Sequence, residues 1–346
     1  MLKEFSSGAV ERIDTEDDLE QLLSLPCPAL VNDMSTVDGD ILVLGVGGKM
    51  GPSLARLAAN AAPNKQVTGV ARFSEQGLEE RLNGHNIQTI KADLLDRDAL
   101  AALPDAENVI FMAGRKFGST GSEELTWAMN THVPALVAER FRNSRIVAFS
   151  TGCVYPFMPI GSQGATEELP VGPPGEYAQS CVGRERMFQY FSSVYGTKGA
   201  LIRLNYAIDM RYGVLADVAG KVIRGDEIDV TTGHVNVIWQ GDANSQVLRA
   251  LGHCTSPPNI LNISGPETIS VRWLAMEFGK MLGKKPNIVG QELESGWLTN
   301  NTKSAALFGY PSVPLKTMMA WTADWMIRDQ RSLGKETSFE VRDGKY

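Results

Sequence analysis

Hydrophobic residues in this chain come in short runs separated by longer amphipathic stretches. The runs are ILVLG from residue 41, QVTGVA from 66, NIQTIKA from 86, NVIFMAG from 108, RIVAFST from 145 and GALIRLN from 199. Between most of them lie segments with apolar positions three and four apart, such as PSLARLAANAA and VPALVAERF. Apolar runs with little polar alternation suit strands buried on both faces, and strand–helix alternation builds a parallel sheet covered by helices. The pattern therefore predicts an α/β fold. Ahead of the first run, TEDDLEQLLS at 15–24 reads as a short helix, with Thr15 as its cap, acids in its first turn and leucines along one face. A turn-rich stretch ending in Asp38-Gly39-Asp40 follows.

Beyond residue 205 the pattern is less regular. HVNVIW at 234 and ILNIS at 260 have strand character, and helices are predicted near 270–282 and 313–328. The expected organisation is a helical extension over 1–38 and a sheet domain over 39–205 and about 232–263. A smaller substrate lobe is expected over about 206–231 and 264–335, with a tail over 336–346.

Composition narrows the classes of function. The net charge of −7 opposes a nucleic-acid surface, which needs a basic face. No apolar run approaches the ~20 residues of a membrane span, and the acidic start lacks the apolar core of a signal peptide. Cys27, Cys153, Cys181 and Cys254 show no CxxC or Cys/His metal spacing, so neither a disulfide framework nor a metal site is expected. The expected setting is the cytoplasm, with reduced thiols and a homodimer allowed for.

The stretch ILVLGVGGKMGPSLARLA places Gly45, Gly48 and Gly51, with Lys49 and Met50 between the last two, at a strand-to-helix turn. Glycines there let backbone N–H groups approach a pyrophosphate at the positive end of a helix, the signature of a Rossmann-type dinucleotide site. The second strand ends in Ala71-Arg72, where an NAD site usually carries an acid for the ribose hydroxyls. A guanidinium suits a ribose 2′-phosphate, so NADP is favoured over NAD, the alternative being a solvent-facing arginine on a loop.

Further pieces follow in order: ADLLD from 92, VIFMAG from 109, STGCVYP from 150, EYAQSCVGRE from 176 and RLNYA from 203. With the glycine loop, and over about residues 40–328, they resemble the extended short-chain dehydrogenase/reductases, the NAD-dependent epimerase/dehydratase family. The resemblance implies cofactor contacts at Asp93, Leu94, Ala113, Gly114, Asn130, Tyr177 and Asn205. It also implies Tyr177 as the proton-transfer residue and Thr151 as its hydroxyl partner. Hydride transfer at a carbinol carbon requires a proton to leave or join the oxygen, and two hydroxyls can hold that oxygen. The competing reading of Tyr177 is a buried, hydrogen-bonded tyrosine.

Two departures bear on the chemistry. Where the family places a lysine four residues after the tyrosine, this chain has Cys181. A tyrosine of ordinary pKa near 10 is only ~0.1% ionised at pH 7, and losing one or two units of activation costs about 1.4–2.8 kcal/mol. Lys116, just after the fourth strand, or Arg184, one turn beyond Cys181, are the candidates for replacement charge; a solvated surface role stands beside each.

After Thr151 come Gly152 and Cys153 in place of the Asp-Glu pair of the family's 4,6-dehydratases, which disfavours dehydration. STGCVYP is similar to the segments of GDP-fucose synthase and GDP-mannose 3,5-epimerase in which a cysteine shuttles a proton beside a ketone. Cys153 is thus a candidate acid or base, or else a small buried thiol. The partner histidine of the synthase would fall near Gly213, beside Tyr212, and is absent. A phosphate-gripping arginine common among nucleotide-sugar epimerases aligns with Val235, with Arg211, Arg224 and Arg272 as substitutes. A smaller free or acidic sugar is therefore expected. Two functional readings remain: an NAD(P)-dependent epimerase or oxidoreductase, and a non-catalytic NADP-binding sensor or scaffold.

Overall fold

The computed structural model describes residues 10–335 and 337–345. Seven strands, β1 (Ile41–Leu44), β2 (Val67–Ala71), β3 (Ile87–Lys91), β4 (Asn108–Phe111), β5 (Arg145–Thr151), β6 (Gly199–Leu204) and β7 (Asn259–Ile263), form one sheet. All pairings are parallel, in the order β3-β2-β1-β4-β5-β6-β7. The order reverses between β1 and β4, where Ile41 pairs with Val67 on one side and Asn108 on the other. A crevice opens beyond the carboxyl ends of strands at such a switch point.

Burial explains the apolar runs. Every residue of β1 is buried, because helices cover both faces of the sheet. On one face lie α3 (Gly51–Ala61) and α6 (Gln240–Arg249), through Leu54, Ala58, Val247 and Leu248. On the other lie α4 (Val133–Arg140) and Phe188 of α5 (Glu176–Tyr195), around Phe111.

The amino-terminal segment forms α1 (Glu16–Leu23), closed by a capping box between Thr15 and Asp18. The stretch read as turn-rich contains a second helix, α2 (Pro28–Thr36), which no regular apolar stripe announces. Its buried residues are only Leu30 and Met34, with Pro28 at its start and the Cys27 thiol accepting from the Leu30 N–H. Leu19, Leu22 and Leu23 join the lobe's core, while Leu30 and Met34 join that of the sheet.

The lobe packs around Val214, Val218 and Val222 of the helix Val214–Arg224, Leu274 and Phe278 of Val271–Leu282, and Trp321 and Trp325 of Leu315–Ile327. HVNVIW does not make one strand. His234–Val235 pairs with Ile269–Ser270 in the lobe, and Ile238–Trp239 pairs with Ala207–Ile208. Among the described residues from 331 on there is no helix or strand, and Phe339, 1% exposed, is anchored in the lobe's core. A Lys221–Glu340 ion pair adds to this, as do hydrogen bonds from Arg342 to the Ser295 carbonyl (2.8 Å) and hydroxyl (2.9 Å). Gly344 then lies against Gly175, directly ahead of α5.

One buried ion pair ties α5 to the sheet. Arg203 of β6 donates to both carboxylate oxygens of Glu185 at 3.0 and 2.8 Å, with side chains only 4% and 3% exposed. The Ser150 hydroxyl of β5 also donates to Glu185, at 2.6 Å. Arg203 further donates to the Tyr155 hydroxyl, which donates to Asn262 of β7, both at 2.8 Å. Removing one member strands a buried charge. Glu185→Gln is therefore expected to cost about 3–5 kcal/mol, read as a lower midpoint in equilibrium urea unfolding. A midpoint equal to that of the parent protein would show that the pair does not hold the fold.

Candidate active site

At the carboxyl end of β1, Gly45 has φ +93°, and a Cβ there would lie 2.6 Å from the Ala113 backbone nitrogen. A Cβ at Gly51 would collide with the Val46 carbonyl, so the loop's close turn requires glycine at both positions. The loop leads into α3 through Met50, which makes no side-chain cap. This cradle at a helix amino terminus fits a dinucleotide pyrophosphate. Ala71 borders the loop, since a Cβ on Gly47 would lie 3.2 Å from its own; Arg72, one residue beyond β2, is exposed. Asp93 accepts from the Leu95 N–H at 3.0 Å, and Leu94 is buried.

Gly114 needs its missing side chain for another reason: a Cβ would lie 2.5 Å from a guanidinium nitrogen of Arg184. Asn130 organises this corner. Its Oδ1 accepts from the Arg115 N–H (2.8 Å) and from Arg184 (2.7 Å), while its Nδ2 donates to the Arg115 carbonyl (2.8 Å) and the Ser180 hydroxyl (3.0 Å). Its amide thus holds protein groups in place. Asn205, at the end of β6, packs beneath Gly152 and donates to the Trp297 carbonyl at 3.1 Å.

Thr151 ends β5, and its Oγ1 accepts from the Cys153 N–H at 3.2 Å. Tyr177, in the first turn of α5, is hydrogen-bonded through its side chain to Thr151 and to Cys181 one turn on. The two thiols flank it. Cys153 packs with Ala178, Trp297 and Phe157 against Tyr177, whereas Cys181 packs with Val154, Tyr155 and Ala165. The Tyr177 ring keeps partial solvent access while its hydroxyl is enclosed by protein. Burial above all, then Cys181 and Cys153, hold its pKa well above the ordinary 10; Arg184 and the Thr151 hydrogen bond pull the other way. Burial likewise raises Cys181, against the opposing charge of Arg184.

Both candidate cations are here. Arg184, 6% exposed, donates to the Phe149 carbonyl (2.8 Å) as well as to Asn130, and its charge acts on Tyr177 and Cys181 alike. Lys116 donates to the Thr337 carbonyl at 2.9 Å. Burial lowers its pKa, opposed by Cys153, Asp217 and Cys181. Neither is a freely solvated surface residue.

The proposed substitutes for a phosphate-gripping arginine are otherwise engaged. Arg211 is buried in ion pairs with Asp209, Glu16 and Glu20; Arg224 pairs with Asp226, Arg272 with Glu292, and Val235 is in the lobe core. Among the described residues no cluster of histidine, cysteine and carboxylate side chains could hold a metal ion, and no helix is long and apolar enough to cross a membrane.

The sequence matches the NAD dependent epimerase/dehydratase family over residues 41–231. The chain belongs to that family. No curated protein sequence matches it. Solved structures of the same fold include Pal from Bacillus thuringiensis, 20% identical with a TM-score of 0.71, covering 84% of this chain and 100% of its own. The dTDP-glucose 4,6-dehydratase of Streptomyces venezuelae, solved with NAD and TYD bound, is 17% identical with a TM-score of 0.73, covering 84% and 97%. The UDP-glucuronic acid 4-epimerase of Bacillus cereus, in complex with NAD, is 18% identical with a TM-score of 0.70, covering 84% and 100%.

Within this family frame the Cys181 position is filled rather than vacant. The thiol is 0% exposed and lies beside Arg184. Cys181→Lys would overpack the cluster and add a second cation near the first. It is expected to destabilise by about 1–3 kcal/mol in thermal or urea unfolding, without a rise in turnover. A faster enzyme of unchanged stability would show that Cys181 is a simple loss of charge.

Proposed function

We propose that this protein is an NAD(P)-dependent epimerase or oxidoreductase acting on a hydroxyl or ketone of a sugar or sugar-derived substrate. The observation that carries the reading is the hydrogen-bonded Tyr177–Thr151 hydroxyl pair, with the Cys153 thiol packed against the same tyrosine. A bound nicotinamide cofactor supplies the hydride donor or acceptor. The residues manage the proton. Tyr177 holds its proton at neutral pH, so it is poised to donate to a ketone oxygen, with Thr151 fixing that oxygen. In the reverse direction it must act as tyrosinate, the form that the Arg184 charge favours in place of the family's lysine. To Cys153, packed against Tyr177, this reading assigns proton exchange at the neighbouring carbon, and Gly152 offers no carboxylate for eliminating water.

The cofactor preference is read from Ala71-Arg72. No acid stands at the end of β2, and the exposed Arg72 guanidinium is free to meet a 2′-phosphate, which supports NADP over NAD. One observation favours a non-catalytic NADP-binding role instead: a fully buried thiol, Cys181, stands where the family's lysine is expected.

A substitution at Tyr177 separates the two readings. Tyr177→Phe is expected to lower turnover at least about 100-fold in a nicotinamide absorbance assay while NADP affinity stays within about twofold. Undiminished turnover would make Tyr177 structural. For the cofactor, NADP is expected to outcompete NAD in a fluorescence titration, with Arg72→Ala erasing most of the difference. Equal affinities in the parent protein would overturn the NADP preference.

A further inference from the structure

We propose that Lys49 and Lys116 form a seat for an acidic group, a carboxylate or phosphate, on the substrate that Tyr177 acts on. The inference deepens the functional reading above and rests on it. Two ammonium groups converge on one ring: Lys49 Nζ lies 4.6 Å and Lys116 Nζ 5.3 Å from the centroid of Phe117, itself 40% exposed. Lys49 Nζ also lies 3.2 Å from the centroid of Tyr212 in the lobe. The glycine loop, the segment after β4 and the lobe thus meet at this point.

Lys116 links the seat to the chemistry, because its charge reaches Cys153 and Cys181 on either side of Tyr177. The carboxylates facing Lys49 are already committed. Asp217 accepts from the Thr337 N–H (2.9 Å) and hydroxyl (2.6 Å), and Asp209 is paired with Arg211. Among the described residues Lys49 makes no ion pair. Burial first, then the charges of Lys116 and Lys335, bring its pKa down to about 7, with Asp217 and Asp209 opposing. A cation held beside like charges gains most from an incoming anion. Arg211, Arg224 and Arg272 are paired with carboxylates elsewhere. The tail contributes Thr337, bound to both Lys116 and Asp217, and Lys335.

The cofactor's pyrophosphate could claim Lys49 as well, since the residue belongs to the phosphate loop. Calorimetric titration of the NADP-loaded full chain with D-glucuronate, glucose 6-phosphate and D-glucose distinguishes the two. At pH 6 one or both acids are expected to bind more tightly than glucose, and to weaken as pH rises through about 7 to 8, where Lys49 loses its proton. Lys49→Gln should weaken acid binding about tenfold and flatten the pH dependence, Lys49→Arg should keep the affinity without that dependence, and glucose should be unaffected throughout. Acids that bind no better than glucose, or as well to Lys49→Gln as to the parent, overturn the proposal. So does a Lys49→Gln effect confined to NADP, which would assign the lysine to the cofactor. The titration reads binding, so it stands or falls apart from the Tyr177→Phe assay.

Discussion

A carboxylate and a guanidinium that are both cut off from water can persist only if they meet, and Glu185 and Arg203 meet at the centre of this protein. The pair joins α5 to β6, and Ser150 brings in β5 one residue before Thr151. Tyr177 stands about two helical turns ahead of Glu185 on a continuous helix, so fixing Glu185 fixes the rotation and height of that first turn. The Tyr177–Thr151 hydrogen bond follows from that registration. The rigidity that holds the two hydroxyls together is supplied by charges too costly to leave apart.

Around that frame the cleft is cationic in an unusual way. In place of a lysine one turn after the tyrosine stands a fully buried thiol, and positive charge enters from other directions. Arg184 comes from deeper in the same helix, locked by Asn130 and the Phe149 carbonyl. Lys116 comes from the loop after β4, and Lys49 from the phosphate loop. Burial raises the acids and lowers the lysines here, so both kinds of group resist charging. The expected consequence is a site whose protonation is set by what binds in it.

Much of the fold was legible along the chain. Strands buried on both faces leave apolar runs, and the glycines at 45 and 51 announce a turn that tolerates no side chain. Thr151 and Tyr177 were picked out by resemblance, through the segments STGCVYP and EYAQSCVGRE. The second amino-terminal helix left little trace, since it buries only Leu30 and Met34, and HVNVIW misled because its two ends pair with different partners. Nothing in the spacing marks the tail, whose hold on the cleft is made of isolated side chains such as Phe339 and Arg342.

The sequence by itself therefore determined the parallel sheet covered on both faces and the tight glycine turn after β1, because local periodicity and backbone sterics act between near neighbours. Only the tertiary structure decided which cations face Tyr177, that Arg211, Arg224 and Arg272 are spent on carboxylates, and that Thr337 reaches Lys116. Such pairings join residues far apart in the chain or depend on which way a side chain turns, and neither has a period to read. Coulomb attraction and desolvation act through space, so their outcome exists only once the chain has folded.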